Sequence, residues 1–365
     1  MEGAEAYRQF WDSLLPAYPI SQGQFRLPIA TSLATFPGLN LELVLDELEE
    51  ILKTLLREHS SPAGAEHRLQ KAGEVALRPL LTDEFTGVVR FDCVWQPAEG
   101  GVKILEINCD YPDGLILHDN TVAALTGTAQ TTHQTLLTKL FAADELVSVL
   151  HHQKASFRDG YYAEHQLLNA PHRPGLLTST VEEIPPAHTI RRCLETSKLS
   201  AEALCQLGER DARIVNTIAL RTLGYKDLLA TLTHPFVPET ITLSATTRPR
   251  LLAEPERWII KPVEGCEGVG IHIGAQESPA HWEQVVRRAS ETMNYIAQEY
   301  VPLPKTRVAL YDEGTIVTRE VYYDLCPHFF IHDQKIVGRG HTLVRYSTNP
   351  IVNVSQGGGI GYYKA

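Results

Sequence analysis

Polar and apolar positions follow two different periods along this chain, and each change of period marks a new segment. Leucines in LELVLDELEEILKTLLREH (residues 41–59) recur at spacings of three and four, which places them on one stripe and predicts an amphipathic core helix. The first ninety residues read as mainly helical. From Thr86 the period falls to two: GVVRFDCVW and VKILEIN flank the polar turn QPAEGG, which is the pattern of a β-hairpin. Helical TVAALTGTAQTTHQTLLTKLFAADELVSVLHH follows. Strand-like PGLLTST, helical HTIRRCLETS and AEALCQLGE, strand-like ARIVNTI and helical YKDLLATL then alternate, as in a small α/β layer. From Trp258 the segments WIIKPV, GIHIG, YIAQEYV, GTIVTREVYY, HFFIH and KIVGRG predict a mixed sheet, interrupted by a helix around HWEQVVRRASETM. The expected class is α/β, in the wider sense of α+β.

Composition narrows the function classes. A length of 365 residues with 43% hydrophobic content suits two or three packed units sharing a site. The net charge of −11, with 33 Lys and Arg against 44 Asp and Glu and no basic run, gives a polyanion nothing to bind, so nucleic acid is not expected as a partner. No apolar run approaches the roughly 20 residues of a membrane helix, and the first residues lack a signal-peptide layout, so no membrane partner and a cytoplasmic location are expected. Six cysteines without a CxxC suggest neither a zinc knuckle nor a disulfide framework. Fifteen histidines without an HExxH do not describe a zinc enzyme; His151 and His152 read as a helix end, and His328 and His332 as a structural pair.

The hairpin carries the strongest chemical signal. By strand parity Arg90 and Asp92 share a face of its first strand, and Glu106 and Asn108 a face of its second. A turn centred near Glu99 sets Asp92 opposite Glu106, and a cross-strand pair on one face has Cβ atoms only about 5 Å apart. Two carboxylates and an amide oxygen converging there call for a cation, and hard oxygen donors without a soft ligand suit Mg²⁺ completed by substrate phosphates. A solvated surface hairpin would show the same alternation. In WIIKPVEGCEGVGIHI, Lys261 ends an apolar strand and Gly265, Gly268 and Gly270 follow in the loop. Glycines let backbone N–H groups approach an anion and the lysine adds charge, so this loop describes a phosphate cradle, although it is neither a Walker nor a Rossmann motif and a tight hairpin loop would look alike. Gln298, Glu299, Tyr300 and Val301 set polar groups among apolar strand residues, where they could partner an adenine amino group and a ribose, or simply form an edge strand. Asp110, Asp113 and His118 follow directly on the hairpin, and Arg319, Arg339 and Arg345 are candidates to clamp a substrate carboxylate; surface ion pairs account for them equally. No Ser-His-Asp or Cys-His arrangement stands out, and Cys109 should point away from the metal face, so covalent catalysis is not expected.

Together these pieces resemble the ATP-grasp ligases: R-x-D, a hairpin turn and E-x-N look like their metal-binding end, and KPVEGCEGVG followed by QEYV like their phosphate loop and adenine hinge. In most of that superfamily the lysine strand comes first. Here Arg90 to Asn108 precede Lys261, which is the order of the circularly permuted branch that includes glutathionylspermidine synthetase. RFDCVW, LEINCDYP, NTIALRTLGYKDLLATL, WIIKPVEGCEGVGI, YIAQEYVPLP and VNVSQGGG occur in that branch's order, over roughly residues 86–120 and 210–365.

The resemblance implies a permuted ATP-grasp fold with a pre-ATP-grasp α/β layer and a helical N-terminal region. Residues 1–130 would hold the helical region and the metal hairpin, 131–235 the α/β layer, and 236–365 the lid and C-terminal core sheet. It further implies that Asp92, Glu106 and Asn108 hold Mg²⁺ at the ATP phosphates and that Arg90 stabilises the transferred phosphoryl group. Lys226 and Lys261 match the family's nucleotide lysines, Gln298, Glu299 and Val301 its hinge, and Gly357, Gly358 and Gly359 its terminal loop; Arg221 falls one position from a further basic residue. The implied activity joins a carboxylate to an amine through an acyl phosphate with release of ADP, the substrates being small molecules such as an amino acid, a short peptide or an amine. A phosphotransferase and a non-catalytic ATP-binding protein remain open, as does a homodimer.

Overall fold

The computed structural model describes residues 2–14, 27–112, 114–151, 158–169, 176–186, 188–210, 212–265, 268–292, 294–354 and 358–364. Three sheets organise them. The largest has seven strands in the order Lys305–Asp312, Ile29–Ala30, Gly359–Tyr362, Lys335–Ser347, Thr315–His332, Gly87–Gln96 and Gly101–Asn108. Its pairings are antiparallel except where Ile29 runs parallel to Ile360. One 18-residue strand, Thr315–His332, spans the stretch in which the sequence pattern suggests two.

One face of this sheet is sealed by the helix Leu41–His59. The Asn40 side chain caps its start by accepting from Leu43 N at 3.3 Å. Leu45, Leu48, Leu52 and Leu55, at helical spacing, pack with Phe91, Leu325, Phe329 and Val344. Across the sheet, Trp11 and Leu14 of the helix Glu2–Leu14 and Val122 of the helix Leu115–Thr126 cluster with Cys326, Leu343 and Ile360.

The second sheet is all parallel: Leu177–Thr178, Val147–His151, Thr189–Cys193 and Ile214–Val215. Two of its strands fall where the sequence pattern suggests helix, HTIRRCLETS and the LVSVLHH end of the preceding stretch. Both are buried on both faces, which removes the alternation that would have marked them. The Asn216 side chain joins this sheet to the large one, donating to the Val88 and Cys109 carbonyls at 2.8 and 3.0 Å and accepting from Val88 N–H.

The third sheet is antiparallel, in the order His272–Ile273, Trp258–Pro262, Tyr295–Glu299 and Thr240–Thr242. The helix Pro279–Thr292 covers it through Trp282, Val286 and Ala289. Among the described residues no helix is long and apolar enough to cross a membrane.

Candidate functional site

Strand alternation and one bulge aim the hairpin's polar residues. Arg90 pairs across strands with Asn108 and Asp92 with Glu106, the register expected from the turn; immediately after Asp92 the register slips, and Cys93 meets Ile104. A bulge bends the strand where the polar residues end and the buried run Cys93 to Trp95 begins.

These residues open into a cavity of about 430 Å³ walled by the large sheet, the antiparallel sheet and the chain after the hairpin. Arg90, Asp92, Glu106, Asn108, Lys226 and Lys261 all line it. So do Gly265, Gly268, Gln298, Glu299, Tyr300, Val301, Asp110, His118 and Arg345. Arg90 and Arg345, 255 positions apart in sequence (345 − 90), thus share one space.

On the large-sheet wall the charges are closed on themselves. Arg90 donates to both oxygens of Asp92, at 2.7 and 3.0 Å, and Arg345 donates to Asp92 at 2.9 Å and to Asp324 at 3.0 Å. Burial works to raise the Asp92 carboxyl, yet Arg345 and Arg90 hold it well below the usual carboxylate range. Asp324, buried behind them, is pushed upward by desolvation despite Arg345.

The antiparallel-sheet wall is different. Lys261 is 5% exposed, and its ammonium donates to Gln298 Oε1 at 2.8 Å and to the Leu105 carbonyl at 3.2 Å. Among the described residues it is ion-paired to no carboxylate, and burial pulls its pKa down to about 8, a fall that Glu106 opposes. Gln298 is itself fixed by donating to Thr240 Oγ1 at 3.2 Å, so its side chain positions the lysine rather than reaching for a ligand. Lys226 lies 3.4 Å from Glu106 Oε2 and donates to the Gly265 carbonyl at 3.0 Å. The loop turns through positive φ at Gly268 and Gly270, both 75°, which suits glycine at each.

Other candidates are placed elsewhere. Arg319 pairs with Asp312 at 2.7 Å, and Arg339 is held by Glu49 and Asp46 of the helix Leu41–His59, at 2.8 and 2.6 Å; neither lines the cavity, which corrects their reading as carboxylate clamps. Their long side chains simply find partners on the outer faces. Gly358 packs so tightly that a Cβ would stand 2.7 Å from the Tyr346 carbonyl, and it too does not line the cavity. Gly270 sits against Pro262 at the loop's base. Asp113 and Gly357 lie outside the described residues. Asp110 lines the cavity but is engaged: Thr196 donates to it through N–H at 2.9 Å and Oγ1 at 2.6 Å, and Arg221 stands 3.3 Å away. Arg221 is buried in a cage of Glu74, Glu264 and the Tyr225 hydroxyl. Burial raises the Glu264 carboxyl against the pull of Arg221.

Asp324 and Glu264 escape the sequence reading. Asp324 had a signal, a lone carboxylate inside the apolar strand VYYDLCPHFF; Glu264, one residue beyond the KPV strand end, reads only as part of a loop.

The arrangement suits a polyanion: two buried ammonium groups, a glycine loop, and side-chain oxygens of Glu106 and Asn108 that line the same cavity. No protein-family model matches this sequence, and no curated protein matches it either. Among solved structures, a glutathione synthetase-like effector (GSS30) from Globodera pallida, in its apo form, superposes with a TM-score of 0.60 at 12% identity, over 98% of this chain and 96% of that one. The chain has a glutathione synthetase-like fold. At that identity the likeness lies in the path of the backbone, over nearly the full length of both proteins, and the glutathione synthetase-like frame carries side chains that are largely this chain's own.

Proposed function

We propose that this protein is a permuted ATP-grasp ligase that joins a small-molecule carboxylate to an amine, with ATP converted to ADP and phosphate. The observation that carries the reading is Lys261, a buried ammonium that among the described residues makes no ion pair, lining one cavity with Glu106 and Asn108. A buried cation in contact with no carboxylate among the described residues favours an anionic ligand. Lys226, Lys261 and the glycine loop would take the phosphates, and the segment Gln298 to Val301 would border the base.

The donor set fits Mg²⁺. Glu106 and Asn108 present hard oxygen to the cavity, while Asp92 Oδ1 accepts one arginine bond and keeps a lone pair to share. Bound there, the ion would neutralise charge on the phosphates. Arg90, anchored by Asp92, aims its remaining N–H groups where charge builds on the transferred phosphoryl group. A substrate carboxylate oxygen attacks the γ-phosphorus and the bond to ADP breaks. The amine nitrogen then attacks the acyl carbon, phosphate leaves, and the amine gives up a proton. Phosphorylation supplies the leaving group that an ionised carboxylate lacks, and closure of the cavity walls on bound substrates would exclude water that would hydrolyse the intermediate.

The test is product analysis with Mg-ATP and pooled amino acids, peptides and polyamines. ADP release that needs both a carboxylate and an amine, with a new amide mass, is the expected result. A stable phosphorylated product formed without amine would mark a phosphotransferase, and failure to bind ATP would overturn the reading.

A further inference from the structure

Beyond Arg90 on the same sheet, three histidines from distant elements converge. His328 is Arg90's cross-strand partner, His118 comes from the helix Leu115–Thr126, and His133 from the helix Thr132–Thr138. Their ring centroids lie 5.2 to 5.4 Å apart, and one nitrogen of each lies within 4.8 Å of the other two. His133 and His328 are fully buried and His118 is 6% exposed.

The nitrogens are oriented. His133 Nδ1 lies 2.9 Å from the Leu115 carbonyl and His328 Nδ1 3.1 Å from the His341 carbonyl; each must donate there, so each ring's lone pair is on Nε2. His328 Nε2 and His118 Nδ1 have no hydrogen-bond partner among the described residues. His133 Nε2 accepts the His341 amide at 2.8 Å, a bond that a ligand would displace.

We propose that His118, His133 and His328 form a binding site for a borderline transition-metal dication of the Zn²⁺ class, separate from the oxygen donors Glu106 and Asn108. Imidazole nitrogen suits such metals and not Mg²⁺. The bonds from Nδ1 to backbone carbonyls are the outer contacts that orient metal-binding histidines. Three protein ligands leave a fourth position open, and His118, with Gly114 and Thr121 beside it, lines the cavity and gives an entry path. Gly114, at φ 77°, makes room for the His118 ring, since a Cβ there would stand 3.2 Å from Nε2. Counter-charge is at hand: buried Asp119 lies 3.0 Å from His341 Nε2, and the charge of Arg90 is met by Asp92. The inference does not depend on the ligase reading.

The probe is Co²⁺, titrated into metal-stripped, tag-free protein and followed by its visible absorption. Expected are one Co²⁺ per chain, displacement by Zn²⁺ but not by excess Mg²⁺, and an affinity loss of about a hundredfold or more in His118→Ala and in His328→Ala, each checked for folding by circular dichroism. His272→Ala, in the partly exposed group His272, Glu277 and His281, should leave that site intact. Absence of Co²⁺ binding by the folded wild-type protein would overturn the proposal and leave water as the rings' partner. Binding that survives in folded His118→Ala, or that is lost instead in His272→Ala, would overturn it as well. Should His328→Ala fail to fold, the wild-type and His118→Ala titrations decide.

Discussion

On the large-sheet wall of the cavity, Arg90, Asp92, Asp324 and Arg345 make a closed set of two cations and two anions. On the antiparallel-sheet wall, Lys261 is just as deep and meets only an amide and a carbonyl. The first arrangement is balanced in charge before any ligand arrives, and what it offers one is the remaining N–H groups of Arg90 and a lone pair of Asp92. The second is incomplete, and its missing partner has the charge of a phosphate. Burial depth does not separate the two walls; what separates them is whether the charge is already answered.

If the closed set is scaffold, opening it should cost stability first. Asp92→Asn leaves Arg90 without its partner and is expected to lower unfolding stability by about 3–5 kcal/mol, read by urea titration; a loss under about 1 kcal/mol would erase the contrast between the walls. Glu106→Gln removes an oxygen ligand that faces the cavity beside Lys226 and Asp92 and keeps the side chain's shape, so turnover should fall by about a hundredfold or more with the melting temperature little changed. Wild-type activity in that variant would remove Glu106 from the metal site. Lys261→Met should move the two readouts in opposite directions: ATP affinity weaker by tenfold or more, and ligand-free stability higher by on the order of 1–2 kcal/mol. Lower stability together with unchanged affinity would make Lys261 part of the scaffold.

The same residue sets a pH signature. Folded Lys261 releases its proton near 8, and the unfolded chain holds it up to the ordinary 10.5. Between those values the unfolded state binds more protons, so this residue's penalty on stability is full below about 8 and fades as pH rises. ATP affinity should decline over the same range, because the cation is lost; affinity that stays flat in wild type, matching Lys261→Met, would contradict this. Smallest of all, Arg339→Ala breaks partly exposed pairs away from the cavity and should change stability by at most about 1 kcal/mol and nucleotide affinity not at all.

How much of this was legible in the sequence depended on how each segment is buried. The hairpin register could be read because one face is polar and the other apolar, which leaves alternation intact on both strands; the bulge falls just past Asp92 and spares the pairing. The parallel strand Thr189–Cys193 could not. Arg191 and Arg192 sit inside the protein, tied to Glu164 and Asp110, where the sequence pattern would assign them to solvent. The helix Leu41–His59 was plain from its leucine spacing, and Ala201–Glu209 falls on the stretch AEALCQLGE that reads as helical; the caps at Asn40 and Ser200 came only with the structure. At the cavity, Lys261 and Glu106 were marked by their strand ends, but the roles of Arg339 and Arg345 were indistinguishable: both are arginines on one strand, and only the register separates a cavity wall from the helix-covered face. The histidine trio had no sequence signal, because positions 118, 133 and 328 meet only through packing.

The short strand Ile29–Ala30 lies between Lys305–Asp312 and Gly359–Tyr362, and its parallel partner Ile360 is roughly 330 residues away. During synthesis at about 5–20 residues per second, that segment waits on the order of half a minute for the strands that flank it. The hairpin of Thr315–His332 and Lys335–Ser347 can zip as soon as both strands emerge, so the growing sheet presents an open rim to neighbouring nascent chains until the early segment is captured. Closure of this sheet therefore waits until nearly all of the chain between Ile29 and Ile360 has been made.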